Sequence, residues 1–196
     1  LLVVSGCLPE RYGRSLEKEF PEVDLFVGTG DFQNLPEILS KNRKVKSFLS
    51  KPTFLYDEKT PRILSTPPFS AYLKIAEGCS NLCTFCTVPK IRGPYRSRTI
   101  QSVLKEARRL VDRGVREIIL IAQDTTAYGR DLRDGTNLEK LLRGLVRVDG
   151  IHWIRKLYSY PKPEYFTESL LNLMAKEEKI CPYLDLPIQH IDDQIL

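Results

Sequence analysis

Long apolar runs are missing from this 196-residue chain, so no segment reads as a membrane-spanning helix. The apolar start, Leu1-Leu2-Val3-Val4, has neither the basic flank nor the length of a secretion signal. There is no internal repeat and no low-complexity tract, and plentiful charges of both signs argue against wholesale disorder. Strong charge of one sign is also missing. The net charge of +5 permits contact with nucleic acid or an acidic surface but demands neither. Five cysteines are too few for a secreted disulfide scaffold of this length. Without a secretory signal, they indicate a reducing, cytoplasmic setting. The chain lacks an initiating methionine, and it stops in what reads as the start of a helix. Both ends are therefore expected to be cut.

What is present is an alternation of strands and helices. Leu1–Val4 reads as a strand, Ser5 to Pro9 as a turn, Arg11 to Phe20 as a helix, Val23–Val27 as a strand and Leu35–Ser40 as a helix start. Lys41, Arg43, Lys44 and Lys46 form a basic run, read as a solvated loop. Pro52, Pro61, Pro67 and Pro68 then mark a linker, with a hairpin expected around Tyr56 to Lys59. From Phe69 onward the pattern predicts strands at 71–76, 117–122, 151–158 and 183–186. Helices are predicted at 100–113, 138–148 and 163–179. The run Ile118-Ile119-Leu120-Ile121 reads as a strand buried on both faces. The class is α/β, with residues 1–45 closing one domain, 46–68 linking, and 69–196 opening a parallel (β/α) barrel. Sites in such sheets lie at the carboxyl ends of strands. The cysteine loop, Gln123-Asp124, Ser159-Tyr160 and Gln189-His190 are expected to meet there.

Three of the five cysteines crowd into Cys79-Ser-Asn-Leu-Cys83-Thr-Phe-Cys86, spacing C-x3-C-x2-C. Three thiolates in one short loop can ligate three irons of a cubane and leave the fourth open, whereas an electron carrier fills all four positions. Structural zinc takes four ligands, usually as two pairs. Cys181 and His190 are distant in sequence, and His152 opens a strand. The pattern therefore fits an open iron–sulfur cluster better than zinc or a fully ligated electron carrier.

A C-x3-C-x2-C loop after the first strand of a parallel sheet resembles the radical S-adenosylmethionine superfamily. That resemblance implies a 4Fe–4S cluster on Cys79, Cys83 and Cys86, whose open iron chelates S-adenosylmethionine. It implies cofactor contacts from Phe85, Gln123, Asp124 and Gln189. Phe85 taken alone reads equally as loop packing. The segments Ala76-Glu-Gly-Cys79, Pro89 to Arg98, Ile121 to Gly129 and Tyr183 to His190 are similar to the methylthiotransferases within it. That family carries a second 4Fe–4S cluster on three cysteines of an amino-terminal domain. Val4-Ser-Gly-Cys7-Leu-Pro resembles the segment with the third of them, so Cys7 is implied as a ligand whose two companions lie upstream of Leu1. The chain alone is then expected to be inactive, and Cys181 to be structural.

The family has two branches, one acting on adenosine in transfer RNA and one on the β-carbon of an aspartate in a small-subunit ribosomal protein. Ala122-Gln-Asp-Thr-Thr-Ala-Tyr-Gly129 is similar to the ribosomal branch. A ribosomal protein substrate, an electron donor such as flavodoxin or ferredoxin, and possible RNA contact come with that resemblance. Arg92, Arg96 and Arg98 read either as carboxylate-binding groups or as a solvated basic loop. His190 reads as a proton shuttle or an ordinary hydrogen-bonding residue. Tyr128-Gly129 reads as a turn.

Overall fold

The computed structural model describes residues 1–40 and 45–195, so Lys41, Arg43 and Lys44 of the basic run lie outside the described residues. The chain divides into two compact units. One holds residues 1–54 together with 78–95, the other 55–77 together with 96–196.

In the first unit, β1 (Val3–Ser5), β2 (Leu25–Val27) and β3 (Ser47–Phe48) form a parallel sheet in the order β1-β2-β3. β3 falls inside the stretch read as a linker, so this sheet extends past residue 45. Alternation along β2 sends Phe26 to one face, against Leu16 and Val23, and Leu25 and Val27 to the other, against Ile38. The expected turn at Ser5–Pro9 is instead the entry to a helix, α1 (Cys7–Tyr12), because a proline in the first turn forfeits no helical hydrogen bond. Gly13, at φ 61, ends α1 and divides the helix expected at 11–20. A 3-10 turn and the short α2 (Leu16–Glu19) follow. α3 (Leu35–Ser40) forms as expected.

In the second unit, β4 (Ser70–Lys74) is followed by β5 (Ala76–Glu77). The chain crosses into the first unit for α4 (Val88–Arg92) and returns as β6 (Arg96–Ser97), antiparallel to β5. Then come α5 (Ile100–Asp112), β7 (Glu117–Ile121), α6 (Leu138–Val146), β8 (Trp153–Lys156) and α7 (Glu168–Lys176). β4, β7 and β8 pair in parallel in sequence order, as successive units of a barrel do. Helices start where a side chain accepts an orphan backbone N–H: Thr99 from Ser102, Asn137 from Lys140, Thr167 from Leu170. Gly114, at φ 95, follows the end of α5 as expected. Strand residues Ala71, Leu73, Ile118, Leu120 and Ile154 are buried, as are Val103, Ala107, Leu110, Leu141, Leu142 and Leu145 of α5 and α6.

Four expectations are corrected here. β7 is buried on one face only: Ile118 and Leu120 are fully covered, while Glu117, Ile119 and Ile121 are half-buried. The helix expected over 163–179 splits, because Pro163–Tyr165 is a separate 3-10 turn and the Thr167 cap sets the start of α7. The strand expected at Tyr183–Leu186 is not formed. The chain pairs with β8 at a single parallel bridge, Ile154 to Ile180, and Pro182, lacking an N–H, cannot extend that ladder. The hairpin at 56–59 is a turn in which Asp57 Oδ1 accepts from the N–H groups of Lys59 and Thr60. No helix among the described residues is long and apolar enough to cross a membrane.

Candidate active site

The cysteine loop grows from the β5–β6 ladder. Gly78, at φ 75, makes the bend, and a Cβ there would lie 2.2 Å from the Pro94 carbonyl oxygen. Only glycine fits so close to a backbone. Cys79 N donates to Gly93 O at 3.1 Å, and Tyr95 N to Ser80 Oγ at 3.0 Å, which ties the two stems of the loop together. Between them the chain is irregular until α4. Cys86 N donates to Cys83 O at 3.0 Å, and Val88 N points at Cys86 Sγ at 3.5 Å.

None of the five cysteines is in a disulfide. Cys79 is buried, Cys83 and Cys86 half-buried, and the loop tips Leu82 and Phe85 are 93% and 78% exposed. Among the described residues no three Cys, His, Asp or Glu side chains stand together at metal-holding distance. The donor set nevertheless fits an iron–sulfur cluster. Three thiols outside any disulfide lie on a loop free of helix and strand at its cysteines, where a ligand can swing inward without breaking a ladder.

Cys7 belongs to the same compact unit as this loop. It is the first residue of α1 and is exposed, and Arg92 Nη2, at the end of α4, donates to its Sγ at 3.2 Å. Thr29 of the loop after β2 is buried. It donates from Oγ1 to Ile91 O at 2.5 Å and from its backbone N to Glu10 Oε2 at 2.9 Å. Of the three arginines singled out in the sequence, Arg92 thus meets a cysteine.

Arg98 has a different role and is neither a carboxylate-binding group at the barrel mouth nor solvated. Its side chain is 1% exposed and donates to Glu106 Oε2 at 2.5 Å, to Lys74 O at 2.8 Å and to Ser102 Oγ and O. Arg62 Nη1 meets the other oxygen of Glu106 at 2.8 Å. Arg96 sits in β6, paired with Glu77. Just before the loop, Lys74 and Glu77 form an ion pair, and the Lys74 ammonium lies 5.1 Å from the centre of the Tyr56 ring.

The segment after β7 lies beside the segment after β8. Asp124 is buried, and its Oδ1 accepts from Thr126 N at 2.9 Å, Thr126 Oγ1 at 2.5 Å and Tyr160 N at 3.4 Å. Thr125 donates from Oγ1 to Leu157 O at 2.8 Å and from N to Tyr158 O at 2.9 Å. Tyr128 is fully buried, and its hydroxyl donates to Arg98 O at 2.7 Å; burial pushes the phenol well above its usual range. Gly129, at φ 86, has no room for a Cβ beside Thr136 O. The stretch from Asp124 to Gly129 is therefore largely a staple for these loops, with Gln123 exposed beside it. Gln189, at φ 63, and His190 are exposed, and His190 Nδ1 accepts from Asp192 N at 3.0 Å. The cysteine loop lies in one unit and Gln123, Asp124, Gln189 and His190 in the other.

The sequence reading missed Lys156. It ends β8 at 4% exposure and donates to Ser159 Oγ at 2.5 Å, with the Phe166 ring centre 5.6 Å away. Burial pulls its pKa down from 10.5 to about 8, while the negative charges of Asp185 and Asp124 act the other way. The available signal was periodic, since Lys156 shares the buried face of β8 with Ile154. A lysine whose folded pKa is lowered burdens the fold with a buried charge below about pH 8. The burden is relieved as the pH rises from there to the unfolded value near 10.5. Lys156→Met is therefore expected to be more stable relative to the parent at pH 7.5 than at pH 10.5, with the gap narrowing by about 3 kcal/mol. Urea midpoints of both proteins at the two pH values check this, and a constant gap would contradict it.

The radical SAM superfamily profile matches residues 73–196. Over its whole length the chain is 52% identical, across 199 residues, to the ribosomal protein uS12 methylthiotransferase RimO of Geotalea uraniireducens. It is 54% identical, across 201 residues, to the RimO of Syntrophus aciditrophicus. It spans 44% of the length of each of these curated relatives. Among solved structures, a radical S-adenosylmethionine methyltransferase, TsrM, from Kitasatospora setae matches with a TM-score of 0.65 and 16% identity. That match covers 98% of this chain and 42% of TsrM, a likeness of fold. With its parallel strands in sequence order, its three-cysteine loop, and a superfamily profile that matches residues 73–196, more than half of its length, the chain belongs to the radical SAM superfamily.

Proposed function

We propose that this chain is part of a radical S-adenosylmethionine methylthiotransferase that adds a methylthio group to the β-carbon of an aspartate in ribosomal protein uS12. The observation that carries this reading is that identity to the uS12 methylthiotransferases runs over the whole chain. It includes the amino-terminal unit with Cys7, and not only the superfamily segment.

In this reading Cys79, Cys83 and Cys86 hold one 4Fe–4S cluster, and Cys7 supplies one ligand of a second. When bound, the first cluster and S-adenosylmethionine supply the one-electron chemistry that removes hydrogen from an unactivated carbon. The chain's own residues position and enclose. Gly78 bends the loop so that Cys79 enters it at a fixed place. Phe85, exposed on the loop, would pack near the adenine. Gln123, Asp124 and Gln189 would supply polar contacts to S-adenosylmethionine. A cytoplasmic setting, an electron donor such as flavodoxin or ferredoxin, and RNA contact belong to the same proposal.

The test uses the intact enzyme, reconstituted with iron and sulfide, reduced anaerobically and given S-adenosylmethionine. One sample receives a uS12 peptide carrying the target aspartate, the other unmodified transfer RNA. Mass spectrometry is expected to find a methylthio group in place of hydrogen on the aspartate. Modification of adenosine instead would assign the chain to the transfer-RNA branch. A colourless, zinc-loaded protein would end both readings.

A further inference from the structure

We infer that Tyr158 is a specificity-determining residue of the proposed methylthiotransferase, and that its ring packs against the substrate polypeptide beside the target aspartate. The inference rests on the uS12 reading given above, and it is carried by a strained residue just past the carboxyl end of β8. Tyr158 has φ 58, in the left-handed region. A bulky side chain is a true outlier there, and strain of this kind gathers at functional sites. Among the described residues three non-glycine residues have positive φ: Arg133 after β7, Tyr158 after β8 and Gln189 in the last described segment.

Hydrogen bonds hold the strain from two sides. Asp185 Oδ2 accepts from Tyr158 N at 2.7 Å, and Asp185 O accepts from Ser159 N at 3.1 Å. From the other segment Thr125 N donates to Tyr158 O at 2.9 Å, and Thr125 Oγ1 to Leu157 O at 2.8 Å. Tyr160 N donates to Asp124 Oδ1 at 3.4 Å, and the buried Lys156 fixes Ser159 in the same turn. Tyr158 is thus pinned between the segment that carries Gln123 and Asp124 and the segment that leads to Gln189. Those are the residues proposed to meet S-adenosylmethionine.

The bonds to Tyr158 all use its backbone. Its side chain makes no hydrogen bond, ion pair or ring contact among the described residues, and the residue is 56% exposed. Glycine or asparagine would take the same backbone conformation with less strain. The fold therefore needs the conformation at residue 158 and makes no use of the ring. Exposure alone would say little, since Trp153 at the start of β8 is 58% exposed, but Trp153 lies within the regular strand. A ring that is bare and fixed at its backbone gives up little freedom on binding, and tyrosines of this kind anchor polypeptide partners.

The experiment uses the intact, iron-loaded enzyme with S-adenosylmethionine, kept anaerobic and unreduced so that nothing turns over. Affinity for a fluorescent uS12 peptide carrying the target aspartate is read by anisotropy, and the melting point of each protein is recorded. Tyr158→Asn is expected to bind the peptide about tenfold more weakly or worse. It is also expected to melt at or above the temperature of the parent, because the strain is relieved. Tyr158→Phe keeps the ring and is expected to bind nearly as the parent does. Unchanged affinity in Tyr158→Asn would overturn the assignment. So would a melting point well below the parent's, which would show that the ring packs within the fold. A loss in Tyr158→Phe as large as in Tyr158→Asn would overturn the ring as the contacting group. A parent that binds unmodified transfer RNA and no peptide overturns the uS12 reading, and the role of Tyr158 with it. A parent that binds the peptide, with Tyr158→Asn binding it equally, overturns the role of Tyr158 alone.

Discussion

Glu106→Ala is expected to destabilise the protein by about 3–5 kcal/mol, the cost of leaving a buried charge without its partner. Glu106 accepts from both Arg98 and Arg62, and the Arg98 side chain is almost wholly enclosed. Removing the carboxylate strands a guanidinium that cannot reach water, although its bonds to Lys74 O and to Ser102 remain. For a protein of this size or larger, each kcal/mol shifts the melting point by about 2–4 °C, so the drop should reach roughly 10 °C. The double variant Arg98→Met, Glu106→Leu removes both charges, and should recover much of the loss because apolar groups of similar volume pack without a desolvation cost. Thermal melts of the three proteins decide the matter. If Glu106→Ala costs less than about 1 kcal/mol, Arg98 is better solvated than its burial indicates and belongs with the surface arginines.

Gly78→Ala is expected to abolish cluster loading while leaving the secondary structure in place. The substitution forces an alanine to a positive φ, which costs about 1–3 kcal/mol. It also sets a methyl group 2.2 Å from Pro94 O and 2.6 Å from Gly93 O, both backbone atoms that cannot rotate away. The stems must part, and the bond from Cys79 N to Gly93 O goes with them. A penalty near 3 kcal/mol shifts the balance toward an open loop by roughly 100-fold. Iron per chain and visible absorbance after reconstitution measure the effect, with far-ultraviolet circular dichroism as the control for folding. Gly114→Ala is the matched comparison, since that glycine also has positive φ but a Cβ there meets nothing within 4 Å. Iron loading should be normal in Gly114→Ala, and normal loading in Gly78→Ala would show that the bend does not position Cys79.

Much of this was legible before any coordinates. Apolar periodicity located α5, α6, β4, β7 and β8, because each buries one face and the period of that face is written locally. The caps Thr99 and Asn137, a local signal that the sequence reading did not use, set the starts of α5 and α6. The errors came where a local signal was overruled at close range. Pro182 stopped a strand that its apolar neighbours suggested, and Gly13 broke a helix whose charged faces looked continuous. The run at 118–121 read as doubly buried because composition reports hydrophobicity and is silent on which face a neighbour covers.

The sequence by itself determined the chemistry available: three thiols in eight residues, a parallel α/β order, and a family likeness extending to Cys7. Tertiary structure alone decided how the charged and polar residues divide their work. Arg92, Arg96 and Arg98 are alike in sequence, yet one meets a cysteine and another is sealed against Glu106. Asp124 and Thr125 hydrogen-bond the loop after β7 to the segment after β8, a contact that no local pattern announces. Lys156 passed unnoticed because a single buried lysine has no local signature beyond its register. The cysteine loop, embedded in the barrel's stretch of sequence, packs in one compact unit with the amino-terminal sheet. The physical reason is the same in each case. Periodicity and capping act over a few residues, whereas these partners are brought together across tens of residues by packing, and packing responds to the whole fold.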